Sequence, residues 1–309
     1  MNTPQRKFFT PGGLVVLIIF IIYAVLTFIT PQTATSQEHF QISNTALFWI
    51  RVSVIVPYFL MWFTAFYSMR SLQLVGKKAG EFATIAKWFS LGFLLLLLGT
   101  ITTTILGAVQ SLLVFSSPSF LPILTILINY LYTFLPLGAF LCMYQGLKKS
   151  EQPDTFPTKQ SDGAMIQSIL TVVVIGLAYI PLILSNPNRQ IAFSVDSPAS
   201  YYLPDFLIII TLVLPILVGW ALGIVVALKL NRMFLAFDLP HAGTFVNGIF
   251  LVIFSSMILQ AILSLGTARL YEFGLGIILI LIYILIFFQT AGYVLTARGV
   301  RSFDESQSK

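Results

Sequence analysis

The sequence predicts an all-α, polytopic membrane protein with about eight transmembrane helices, arranged as a tandem, parallel repeat of two four-helix units. Composition predicts the membrane class: of 309 residues, 57% are hydrophobic and only 9% are charged. A soluble domain has about 25% charged residues, so this chain cannot cover a water-facing surface with polar groups. The composition therefore excludes a soluble globular domain, a disordered chain, a disulfide-rich module and a nucleic-acid-binding domain.

Eight apolar segments have about the length that a helix needs to cross a bilayer, roughly 20 residues. They are residues 13–30, 46–69, 88–115, 121–145, 166–185, 204–228, 245–267 and 273–297. Helices are expected in all eight because lipid cannot satisfy unpaired backbone groups. None has the period-two alternation of a membrane β-strand. Arg6 and Lys7 before the first segment leave a cleaved signal peptide as the alternative to a retained span.

The basic residues predict the orientation of the spans. Fourteen of the seventeen lie at the N-terminus, in the loops after the second, fourth and sixth segments, or at the C-terminus: Arg6, Lys7, Arg70, Lys77, Lys78, Lys87, Lys148, Lys149, Lys159, Lys229, Arg232, Arg298, Arg301 and Lys309. The opposite loops hold only Arg189 and Arg269, and Arg51 lies inside the second segment. Cytoplasmic loops are the ones enriched in Lys and Arg. The pattern predicts a cell-membrane protein with an even number of spans and both termini in the cytoplasm.

Recurring patterns suggest that the two halves of the chain are related. They are Pro-x4-Trp at 57–62 and 215–220, Ala-Gly-x-Phe at 79–82 and 242–245, tyrosine at 130 and 283, and Gly-aliphatic-base at 146–148 and 299–301. Four spans in each half would give both halves the same orientation, so the repeat would be parallel. The predicted units are residues 1–147 and 164–309, joined by a polar cytoplasmic linker at 148–163. Chance similarity between apolar helices is the alternative.

Polar residues inside the predicted spans form the candidate site, because a polar group is costly in lipid. The candidates are Arg51, Asp205, Thr100, Thr104, Asn129, Ser256, Gln260 and Gln289. Arg51 either extends its side chain to the headgroups, or it contacts an anion in an outward-facing cavity or pairs with Asp205 at the start of the sixth span. The hydroxyl and amide residues either hold helices together or line a path for a solute.

No catalytic constellation is evident in the sequence. Both histidines, His39 and His241, lie in loops, and Cys142 is the single cysteine, so no cofactor or metal site is expected. We expect a non-catalytic helical bundle that engages the lipid bilayer, a protein partner in the membrane or a signal. No binding of nucleic acid is expected. The alternative is a permease or channel for a small neutral or weakly anionic solute. A cavity lined by Thr104, Gln260 and Gln289 would favour that alternative, whereas tight packing there would favour the first function.

Overall fold

A computed structural model describes residues 10–29, 44–77, 81–116, 121–150, 207, 209–237, 242–264 and 275–306. The regular elements in these ranges are all helical: α1 Pro11–Ile29, α2 Asn44–Val75, α3 Glu81–Ser116, α4 Leu121–Ser150, a π-helical turn Ile209–Val213, α5 Leu214–Phe237, α6 Ala242–Ser264 and α7 Leu275–Ser306. Seven helices in the described ranges are long and apolar enough to cross a membrane, which confirms the multi-pass class. They correspond to every predicted span except the fifth, 166–185, which lies outside the described residues.

Several helices extend beyond the predicted apolar segments, mostly at their basic ends. The helix α2 continues to Val75 and α5 to Phe237, whereas the apolar segments end near residues 69 and 228. The helix α3 begins at Glu81, about two turns before the apolar segment. Hydropathy marks only the part of a helix that lies in hydrocarbon. The backbone hydrogen bonds of a helix continue into the headgroup region, where basic side chains are well solvated.

Threonine and proline residues shape individual helices. The Thr10 side chain accepts a hydrogen bond from the backbone N–H of Gly13 at 3.3 Å, which caps the start of α1. Pro57 and Pro136 lie inside α2 and α4 and leave helix carbonyls without their usual N–H donor. The π-helical turn Ile209–Val213 directly precedes α5 and Pro215, where the ordinary helical hydrogen bond cannot form.

Six of the helices form a closed ring. Each of α2 to α6 packs against the helix that follows it, and α7 closes the ring by packing against α2. The helix α1 packs against α2 and α3, and most of its large apolar side chains stay exposed. Large apolar side chains also point outward elsewhere, with Phe287 68% exposed. An exposed apolar surface of this extent suits a lipid environment rather than water.

The interfaces between neighbouring helices of the ring, called seams below, are of two kinds. Neighbours within α2–α3–α4 and within α5–α6–α7 are antiparallel and in places very close: a Cβ atom on Gly92 would lie 2.9 Å from the backbone oxygen of Ala139, and one on Gly292 would lie 2.8 Å from that of Gly248. The seams α4–α5 and α7–α2 join parallel helices, because contacts between them advance along both chains together. The ring thus consists of two compact three-helix groups that meet at two parallel seams.

Aromatic side chains fill the centre of the ring at its basic end. Phe82 of α3 and Phe245 of α6 meet edge to face, with ring centroids 5.4 Å apart. Phe234 of α5 packs against both of them, at 5.9 Å and 5.4 Å. Such aromatic pairs add packing energy beyond the burial of area. They place the two three-helix groups in direct contact at this end.

Candidate functional site

Gln260 ties three helices together. This side chain is only 2% exposed, and its Oε1 accepts a hydrogen bond from Trp220 Nε1 at 3.0 Å. Its Nε2 donates to the backbone oxygen of Tyr132 at 3.0 Å. The amide of α6 therefore bridges α5 and α4, across one of the two parallel seams. Both ends of the amide are used by protein groups, as expected for a polar residue that holds helices together in lipid.

Gln289 forms a second buried cluster between α6 and α7. Its Nε2 donates to Ser256 Oγ at 3.1 Å and lies 3.3 Å from the Tyr293 hydroxyl. The side chain is 1% exposed, and its Oε1 has no hydrogen-bond partner among the described residues. A buried carbonyl oxygen without a donor is costly, so this atom can accept a hydrogen bond from a group that enters the bundle.

The remaining hydroxyl candidates bond to their own helices. Thr100 Oγ1 donates to the backbone oxygen of Leu97 at 3.0 Å, and Thr104 Oγ1 donates to the backbone oxygen of Thr100. Asn129 is an amide candidate, and its backbone oxygen accepts a hydrogen bond from the Thr133 hydroxyl at 2.8 Å. Hydroxyls bonded in this way are satisfied locally and need no solute.

Arg51 contacts the end of the first helix. Its Nη1 donates to the backbone oxygen of Phe28 at 3.0 Å. The last carbonyls of a helix lack intrahelical donors and carry partial negative charge, so a guanidinium there is favourable. Asp205, its proposed partner, lies outside the described residues, and the structure does not test that pair.

Two hydroxyl–tyrosine hydrogen bonds cross the parallel seams, and the sequence did not reveal them. Ser53 Oγ and Tyr283 Oη share a hydrogen bond of 2.7 Å between α2 and α7. The Tyr130 hydroxyl donates to Thr211 Oγ1 at 2.8 Å, which links α4 to the π-helical turn before α5. Tyr130 and Tyr283 are the tyrosines matched in the sequence, and Ser53 precedes Pro57 by the same four residues as Thr211 precedes Pro215. The signal was present, but Ser and Thr are too common in apolar helices for it to stand out.

One end of the bundle collects the basic side chains. Nine of the ten described Lys and Arg side chains lie there, in the first two turns of α3, in the last turns of α2, α4, α5 and α7, or in the turn after α2: Arg70, Lys77, Lys87, Lys148, Lys149, Lys229, Arg232, Arg298 and Arg301. Three of them are held over aromatic rings of a neighbouring helix: Lys149 over Trp88 at 4.5 Å, Lys229 over Tyr144 at 5.3 Å and Arg301 over Tyr67 at 4.8 Å. We call this surface the cationic end.

Comparison with protein-family models, curated proteins and solved structures gives no match. The described residues contain no group of three or more His, Cys, Asp or Glu side chains placed to hold a metal ion. The function must therefore be argued from the geometry of the bundle. That geometry divides the polar groups into two sets, the amides and hydroxyls inside the ring and the cations at one end.

Proposed function

We propose that this protein is a non-catalytic helical bundle of the cell membrane that engages lipid or a membrane partner through its cationic end. The observation that carries the proposal is the concentration of nine described basic side chains at that end, three of them held over aromatic rings. The interior amide of Gln260 already has protein partners at both ends. The cationic end therefore offers more chemistry for recognition than the interior does. The same charge bias favours a cytoplasmic location for this end and for both termini.

The order of helices in the ring supports a tandem repeat within this bundle. If α2, α3 and α4 correspond to α5, α6 and α7, every contact between neighbouring helices of the ring has an equivalent. The seam α4–α5 then corresponds to α7–α2, and both seams are parallel and carry a hydroxyl–tyrosine hydrogen bond. Such a two-fold arrangement about the membrane normal is what two copies with the same orientation would give. An eighth span in the chain between α4 and α5 would complete the second four-helix unit.

The proposal is tested by the lipid dependence of stability. The protein is reconstituted into vesicles of phosphatidylcholine alone or with 30% phosphatidylglycerol, and its thermal unfolding is followed by intrinsic tryptophan fluorescence. A lipid that binds only the native state raises the unfolding temperature. We expect a higher unfolding temperature in the anionic vesicles and loss of that increase in high salt, which screens exposed charges. Equal unfolding temperatures at low salt in both lipids would contradict lipid engagement.

A permease remains the second candidate because one observation favours it. Gln289 Oε1 is buried in the bundle without a hydrogen-bond donor among the described residues, as a solute-binding group would be. Pro57 and Pro215 lie one turn beyond the hydroxyl–tyrosine bonds on α2 and α5 and provide points at which these helices can bend. The test is uptake of small neutral and weakly anionic solutes into protein-containing vesicles. Uptake equal to that of empty vesicles, or unchanged in Gln289→Leu, would exclude this site as part of a path.

A further inference from the structure

We propose two binding sites for anionic phospholipid headgroups, one at the basic end of each parallel seam, α4–α5 and α7–α2. This inference rests on the proposed function and gives it a ligand class and a stoichiometry. The recognised chemistry is the phosphodiester anion of a glycerophospholipid. Basic pockets between transmembrane helices on the cytoplasmic side are known places for such headgroups.

The two seams have the same layout from end to end. In each seam, the contact at the cationic end is called the inner contact and the one at the opposite end the outer contact. In the seam α7–α2, the outer contact is Ser53–Tyr283 and the inner contact is Tyr67–Arg301. In the seam α4–α5, the outer contact is Tyr130–Thr211 and the inner contact is Tyr144–Lys229. In both seams, fourteen residues separate the two contacts on the helix that carries the inner tyrosine and eighteen on the other helix. At 1.5 Å per residue these are about 21 and 27 Å, close to the thickness of the hydrocarbon core. The cation–tyrosine pairs therefore lie at headgroup level when the outer contacts lie near the opposite surface.

The cation of each inner pair is oriented before a lipid arrives. Arg301 lies over the Tyr67 ring at 4.8 Å, and Lys229 lies over the Tyr144 ring at 5.3 Å. A side chain held in this way loses less conformational freedom on binding a phosphate than a free surface lysine does. An exposed basic residue lies one turn away on the same helix in each case: Arg298 precedes Arg301, and Arg232 follows Lys229. Each proposed site therefore has a second basic residue within one helical turn of the cation that contacts the tyrosine.

The seam α3–α4 has a similar cation–aromatic pair, but its two helices are in close contact at the cationic end. Lys149 lies over Trp88 at 4.5 Å. In the same region a Cβ atom on Gly146 would lie 2.7 Å from Trp88 Cβ, so the two backbones are too close for a headgroup to enter. Lys149→Gln is therefore a matched control: it removes the same charge and the same type of ring contact at a seam without a site.

The test is native mass spectrometry of the full chain in detergent, titrated with phosphatidylglycerol or, in parallel, phosphatidylcholine. We expect two phosphatidylglycerol molecules on the wild-type protein, one on Lys229→Gln, one on Arg301→Gln, none on the double variant, and two on Lys149→Gln. Tyr67→Leu and Tyr144→Leu should each weaken one site by about two- to five-fold, because an exposed cation–aromatic contact has about that effect. Thermal unfolding of every variant is measured in the same detergent to check that the variants remain folded.

The outcomes separate this inference from the proposed function. Selective binding of phosphatidylglycerol that is equally reduced by all three glutamine variants would overturn the two seam sites and leave general lipid engagement intact. Equal binding of phosphatidylglycerol and phosphatidylcholine would overturn both the seam sites and the engagement of lipid through the cationic end. Displacement of the lipid by inorganic phosphate at a matched concentration would show an anion site that does not require a lipid and would also overturn the proposal.

Discussion

Replacing Gln260 with leucine tests whether the interior amides hold the bundle together. Leucine has a similar volume but can neither accept from Trp220 Nε1 nor donate to the Tyr132 carbonyl, both at 3.0 Å in the structure. An interhelical hydrogen bond in a membrane protein contributes about 0.6 kcal/mol on average and up to about 1.7 kcal/mol. Two such bonds give an expected loss of about 1–3 kcal/mol in the free energy of unfolding. The loss is at the upper end if the indole N–H stays buried without an acceptor.

The assay is reversible unfolding of the purified protein in mixed micelles with increasing dodecyl sulfate, followed by tryptophan fluorescence and circular dichroism. Trp62 offers a matched comparison, since it is buried as Trp220 is, but its Nε1 has no hydrogen-bond partner among the described residues. Trp62→Phe and Trp220→Phe remove similar volume, and only the second removes a hydrogen bond to Gln260. We therefore expect Trp220→Phe to be the more destabilising, by about 0.6–1.7 kcal/mol.

A double-mutant cycle completes the test. Gln260→Leu combined with Trp220→Phe should be less destabilising than the sum of the single variants, because both remove the same hydrogen bond. Additive effects, or Gln260→Leu within about 0.5 kcal/mol of the wild type, would refute the view that this amide holds α4, α5 and α6 together.

Two further predictions concern close packing and the first helix. Gly292→Ala should destabilise the protein by about 1–3 kcal/mol, because the new Cβ would lie 2.8 Å from the backbone oxygen of Gly248. Gly107→Ala should be neutral or stabilising, because no atom lies within 4 Å of its new Cβ. Equal effects of the two substitutions in the same unfolding assay would contradict this packing. Arg51→Gln should leave global stability nearly unchanged but speed amide hydrogen exchange at the end of α1, because it weakens the contact with the Phe28 carbonyl. Unchanged exchange there would show that Arg51 does not stabilise this helix end.

The sequence by itself determined the class of this protein and the location of most of its spans. A bilayer has a fixed thickness, so the length of an apolar segment is a local property that can be read without knowing any neighbour. The one-sided distribution of basic residues is equally local. The helix ends were less well predicted, because α2, α3 and α5 extend beyond their apolar segments, where hydropathy no longer marks them.

Only the tertiary structure decided which residues meet. Lipid and a neighbouring helix are both apolar, so hydropathy does not show which face of a membrane helix packs inside. The sequence therefore selected Gln260 as a candidate without its partners, and it could not pair Ser53 with Tyr283, which are 230 positions apart. It also could not show that Lys229 and Arg301 lie over tyrosines at the two parallel seams. Those contacts depend on how the six helices close into a ring, because the ring brings polar residues that are distant in the sequence into contact.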